Sequence, residues 1–234
     1  MVEIKGIEKF SSRDFPGHIS STVFLGGCSF RCPYCHNADL VLRPEVLPSL
    51  AADWFLSYLD GRRGWLEGIC FTGGEPLLHE DLEDLIRVVR ERGLLVKLDT
   101  NGSFPDRLEA LLALGLVDWV AMDVKAPLER YREVTRSTID VEKIVRSADL
   151  LRGSGVRHHF RTTVVPGLVG REDVVKIGEW LEGAERYLIQ PFVPQTTIDP
   201  AYLEVKPYPR AELDAIAAAA RPYFGDVAVE GPER

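Results

Sequence analysis

The chain alternates short apolar, β-rich runs with amphipathic helical patterns, and few architectures accept that order. The β-rich runs fall at 21–25, 68–72, 94–99, 119–123, 157–165 and 186–190. They are continuous rather than alternating, as strands buried on both faces tend to be. Between them apolar residues recur at helical spacing: Leu82, Leu85, Ile86 and Val89, then Leu108, Leu111 and Leu112, then Val141, Ile144, Val145 and Ala148. Val174, Ile177 and Leu181 follow, and Leu213, Ile216, Ala217 and Ala220 come last. Gly93 and Gly115 stand where helices should stop, and 47–64 reads as a further helix closed by a Gly61-Arg62-Arg63-Gly64 turn. Alternating β and α predicts an α/β fold with a parallel sheet and helices outside it. Six units fall short of the eight that close a full TIM barrel. The expectation is an open, partial (β/α)6 TIM-like barrel with its chemistry at the C-terminal ends of the strands. One domain is expected over 1–234, with a core at about 18–200 and a C-terminal helix and tail over 201–234, the stretch 225–234 loosely held.

Composition bounds the partners. The 234 residues are 45% hydrophobic, enough to bury a substantial core. A net charge of −8, from 28 basic and 36 acidic residues with no long run of one sign, argues against gripping a nucleic-acid polymer. A small substrate derived from nucleic acid stays open. No apolar stretch reaches the roughly 18 residues of a membrane span. Met1-Val2-Glu3-Ile4-Lys5 lacks the basic-then-apolar pattern of a signal peptide. The protein is therefore expected in the cytoplasm, with no membrane partner.

Four cysteines are present, and three of them, Cys28, Cys32 and Cys35, lie within eight positions. Such short loops rarely suit disulfides, and a cytoplasmic chain keeps its thiols reduced, so the cluster points to metal. The spacing Cys-x3-Cys-x2-Cys offers three thiolates to three irons of a cubane and leaves a fourth iron open to substrate. A zinc site is the competing reading, but zinc takes four ligands and no second Cys pair exists. A four-cysteine cluster would have to recruit Cys70, which reads as a small buried strand residue. His18, His79, His158 and His159 show no metal-like spacing and read as surface or packing residues.

Polar residues recur where successive strands end. Gly73 and Gly74 allow close approach of a ligand to backbone, and Glu75 beside them is either an acceptor for it or a helix-start acid. Asp99 emerges from an apolar strand, ahead of an Asn101-Gly102 turn signal. Asp123 and Lys125 alternate and so share a side, as a structural ion pair or as site residues. Arg161 lies inside a β-run, where charge demands a partner: an acid on a neighbouring strand, or a ligand's carboxylate or ribose. Gln190 ends the last run, to contact a base or to cap the sheet. Five such positions in order on one rim argue for a shared site.

The cysteine spacing, with the aromatic Tyr34 before the last cysteine and the later Gly73-Gly74-Glu75, resembles the radical SAM superfamily. The resemblance implies a radical SAM barrel, a single [4Fe–4S] cluster on Cys28, Cys32 and Cys35, and S-adenosylmethionine (SAM) chelated at the open iron. One electron then cleaves SAM to methionine and a 5′-deoxyadenosyl radical, and the exposed cluster is sensitive to oxygen. Asp14-Phe15-Pro16-Gly17, Cys35-His36-Asn37, Asp99-Thr100-Asn101-Gly102, Asp123-Val124-Lys125 and Val164-Val165-Pro166-Gly167 look like glycyl-radical-enzyme activases. Among these are pyruvate formate-lyase activating enzyme and, most alike, the anaerobic ribonucleoside-triphosphate reductase activating proteins. The resemblance carries Tyr34, Gly73, Gly74, Glu75, Asp99, Asn101, Asp123, Lys125, Arg161 and Gln190 over as candidates around SAM or the target loop. It implies a glycyl radical enzyme as partner and a flavodoxin or ferredoxin-type electron donor. One departure is Tyr131, where the pyruvate formate-lyase activase pattern has a His after Asp-x-Lys. A radical SAM enzyme of a small molecule or modified nucleoside, and a non-enzymatic iron–sulfur or zinc module, are the alternatives.

Overall fold

A computed structural model describes residues 2–231. Eight strands form one sheet in the order β1 to β8. They are β1 Ile4–Ser11, β2 Ser20–Leu25, β3 Gly68–Gly73, β4 Leu95–Thr100, β5 Trp119–Asp123, β6 Arg157–Val164, β7 Ala184–Pro191 and β8 Phe224–Val229. β1 and β2 form an antiparallel pair, and every later neighbour is parallel. Among the described residues no ladder joins β8 back to β1, so the barrel is partial.

The six expected strands are β2 to β7, and two more flank them. β1 was not anticipated because it is an edge strand, half exposed and without clean alternation. β8 corrects the loosely held tail: 224–229 pairs with β7, and Phe224 stacks on Tyr187 with ring centroids 4.4 Å apart. Its Gly-Asp start and short length hide it in the sequence. Of the tail, 232–234 lie outside the described residues.

Helices α1 Ala38–Leu42, α2 Ala52–Asp60, α3 Leu82–Arg90, α4 Pro105–Ala113, α5 Tyr131–Thr135, α6 Val141–Gly153, α7 Arg171–Trp180 and α8 Arg210–Ala220 fill the connections. α3 buries Leu82, Leu85, Ile86 and Val89, the stripe that its spacing dictates. Gly93 and Gly115 reverse the chain at φ 74° and 63°, a conformation that glycine adopts without Cβ strain. The helix expected over 47–64 is shorter, since Leu50 bridges to Ile4 of β1 and only Ala52–Asp60 is helical. Ile69, Cys70 and Phe71 in β3 and Val96 and Leu98 in β4 are fully buried, so the core lies between sheet and helices and fixes the strand register. No helix among the described residues is long and apolar enough to cross a membrane.

Candidate functional site

The loop after β2 carries the three cysteines, and the C-terminal ends of β3 and β4 hold it. Gly27, at φ 79°, donates its N–H to Leu40 O at 2.7 Å, and its carbonyl accepts from Glu75 N at 2.8 Å. Gly73, the last residue of β3, and Gly74 after it lie close against the chain's own backbone. A Cβ on Gly74 would lie 1.8 Å from Gly27 O, and one on Gly73 2.4 Å from Leu25 O. Gly74→Ala is therefore expected to push the cysteine loop off β3 and to destabilise the protein by about 2–3 kcal/mol. Gly153→Ala, at a position with open space, is expected to be neutral or slightly stabilising, and urea unfolding of both variants checks this.

Glu75 is completely buried. Its carboxylate accepts hydrogen bonds from Leu77 N at 3.0 Å, Thr100 Oγ1 at 2.7 Å and Asn101 N at 2.6 Å. Burial pushes its pKa up to about 7 even so. The acceptor expected beside the glycines thus acts inside the chain, binding the end of β3 to the end of β4. Asn101, which it orients, donates through Nδ2 to Cys28 Sγ at 3.5 Å and Ser29 Oγ at 3.2 Å.

Cys32 is buried and Cys28 and Cys35 are half-buried, all as free thiols. Burial pushes Cys28 up to about 11 and Cys32 up to about 12, and raises Cys35. Bare thiols here stay protonated, and bound metal would supply the positive charge that ionisation needs. The Tyr34 hydroxyl, beside them, is buried with no hydrogen-bond partner. Among the described residues no set of three or more His, Cys, Asp or Glu side chains closes on a single-ion site. A cubane takes one thiolate per iron, so its ligands need not converge on one point. The donor set fits such a group.

Four of the predicted rim residues form one charged ladder. Arg161 of β6 donates from Nη2 to Asp99 Oδ2 at 3.0 Å and from Nε to Asp123 Oδ1. Lys125 Nζ meets Asp123 Oδ2 at 2.9 Å. Lys97, two residues before Asp99 and so on its side of β4, pairs with Asp99 Oδ1. Lys97 is a residue that sequence reasoning missed, although its period-2 relation to Asp99 was there to read. Burial opposes ionisation of both acids, but Arg161 outweighs it, with Lys97 at Asp99 and Lys125 at Asp123. Both carboxyls therefore stay below the usual range. At the end of the ladder Lys125 favours the thiolate forms of Cys28, Cys32 and Cys35.

Tyr131, which stands in for the expected His, is buried beneath this junction. It makes an edge contact with Phe30, accepts from Lys125 N at 3.3 Å and donates to Asp123 O at 3.4 Å. Gln190 stands apart from the ladder. Its Nε2 donates to Glu230 at 2.5 Å and its Oε1 accepts from Thr163 at 3.4 Å. Cys70 is fully buried, 3.6 Å from both Lys97 Nζ and Asp99 Oδ1, as its strand position foretold.

The profile of the radical SAM superfamily matches residues 22–181, from β2 to just past α7. The chain belongs to that superfamily. Membership implies a [4Fe–4S] cluster and SAM as cofactors. A Methanocaldococcus jannaschii protein that carries the name of a glycyl-radical enzyme activating enzyme is 32% identical over 231 residues, covering 97% of this chain and 95% of that one. The pyruvate formate-lyase-activating enzyme of Streptococcus mutans is 31% identical, over 81% of this chain and 76% of its own. This radical SAM protein is accordingly an enzyme of the glycyl-radical-enzyme-activating class. Its fold matches a SAM-bound structure of Streptococcus suis SuiB at TM-score 0.64 and 16% identity, over 88% of this chain and 47% of that one. It also matches a domain of pyruvate-formate lyase-activating enzyme from Bacteroides vulgatus at TM-score 0.55 and 16% identity, over 70% of this chain and 99% of that one.

Proposed function

We propose that this enzyme cleaves SAM reductively and uses the radical to install a glycyl radical on an anaerobic ribonucleoside-triphosphate reductase or a related glycyl radical enzyme. The observation that carries this reading is the similarity to a relative named for that activity over nearly the whole of both chains. The chemistry supplied by a bound [4Fe–4S] cluster is one-electron reduction of SAM to methionine and a 5′-deoxyadenosyl radical. Cys28, Cys32 and Cys35 would hold the cluster. Gly73, Gly74 and Glu75 hold the loop, and Asn101 fixes Cys28. Asp99, Asp123, Lys125 and Arg161 would contact SAM or the target loop, Tyr34 would line the loop, and Gln190, once released from Glu230 and Thr163, would contact the adenine. Loss of one hydrogen atom from a glycine Cα of the partner to that radical would leave 5′-deoxyadenosine and the glycyl radical. The electron comes from a flavodoxin or ferredoxin-type protein, in the cytoplasm.

Reconstituted enzyme, SAM, reductant and a candidate glycyl radical enzyme, mixed without oxygen, should give a glycine-centred signal in electron paramagnetic resonance and a matching yield of 5′-deoxyadenosine. Turnover of a small molecule, with no protein radical on any candidate, would replace this reading.

A further inference from the structure

The cysteine loop has no regular secondary structure, and its middle is held from two distant segments. Arg31 N donates to Thr135 O, at the end of α5, at 2.8 Å. Asp199 N donates to Pro33 O at 2.9 Å, from the connection between β7 and α8. The two bonds flank Cys32, one on each side. Their providers are joined in turn: Arg136, next to Thr135, places Nη2 2.7 Å from Asp199 Oδ2. A closed circuit of three bonds thus runs around Cys32, from 31 to 135, from 136 to 199 and from 199 back to 33.

The backbone of Arg136 marks the circuit as more than incidental. Among the described residues Arg136 is the one non-glycine residue at positive φ, 45°, where a Cβ is strained. A helix end that needs only this backbone shape takes glycine. An arginine in this strained conformation uses its side chain in the ion pair with Asp199. Asp199 serves both halves, because its other oxygen caps the turn that follows, accepting from Ala201 N at 3.1 Å.

We propose that Arg136 and Asp199 are positioning residues, a clasp that holds the Cys32 segment in place for its metal. The metal part of this inference rests on the reading of the cysteines given above. The clasp itself is a property of the chain and can be measured without metal. An exposed ion pair adds little to global stability, so its effect is local: opening it frees the strap at 199 from the end of α5, and Cys32 loses its frame.

Hydrogen exchange of the full-length apoprotein tests the clasp. Asp199→Asn keeps the cap on Ala201 and removes the charge, and Arg136→Gly removes the guanidinium and relieves the backbone. Both should speed exchange at the amides of Arg31 and Asp199, up to roughly fivefold. In the wild type, high salt should have the same effect, while Asp199→Asn should be nearly salt-independent. The reversed pair, Arg136→Asp with Asp199→Arg, should be better protected than either single reversal, though it lacks the cap on Ala201. In reconstituted protein the same variants should release iron to a chelator faster. An Arg136→Gly variant as protected as the wild type, or better, would overturn the clasp and leave the site as a helix end alone. A wild-type protein that takes up no cluster would instead overturn the function proposed above, and the exchange data would still judge the clasp.

Discussion

Replacing Cys28, Cys32 or Cys35 with alanine is expected to abolish cluster uptake and SAM cleavage, whereas Cys70→Ala keeps both. The contrast follows from where the sulfurs sit. The first three share one loop at the end of β2, where Cys28 and Cys35 are partly open. Cys70 is sealed in β3 between Lys97 and Asp99, and burial raises its thiol above the usual range. Removing one thiolate leaves an iron without its protein ligand. Cys70→Ala should cost about 1 kcal/mol of stability, the ordinary penalty of a core substitution. Iron and sulfide content, visible absorption and 5′-deoxyadenosine formation under dithionite are the measurements. Loss of the cluster in Cys70→Ala would mean that the ligand set is wrong.

Arg161→Leu is expected to cost about 3 kcal/mol and to stop SAM cleavage as well. The guanidinium bridges two buried acids, and without it Asp99 and Asp123 keep only one lysine each. Arg161→Lys should recover only part of the loss, because one ammonium cannot reach both carboxylates in the geometry that Nε and Nη2 share. The pH dependence has a definite sign. Both carboxyls have folded pKa values below their unfolded values, so their contribution is complete above the unfolded pKa of about 3.9 and is lost as the pH falls through the folded values. The stability gap between wild type and Arg161→Leu should therefore be full at neutral pH and should shrink below about pH 4. Urea unfolding of apoprotein across that range gives the gap directly. A gap constant with pH would assign the loss to packing instead.

The parallel strands were legible because a strand buried on both faces must be apolar throughout, and each ends where polar residues resume. β1 and β8 sit at the sheet's edges, where that pressure relaxes, and their sequences look like loops. The rim acids were legible as charges at strand ends. That Arg161 bridges two of them depends on the register of β4, β5 and β6, which spacing along the chain does not carry. That the backbones of Leu25 and Gly27 lie against Gly73 and Gly74 is visible only in the three-dimensional neighbours. The burial of Glu75 was hidden for the same reason: its partners Thr100 and Asn101 come from another strand. Arg136 and Asp199 carry no local pattern at all.

A sheet whose spatial order repeats its chain order can assemble in the direction of synthesis, each new strand adding to the last. The cysteine loop is then among the first segments made and among the last secured. Asp99 and Asp123 leave the ribosome before Arg161, and Pro33 waits for Asp199. The frame around the three thiols is thus complete only once β6 and the segment at 199 are in place.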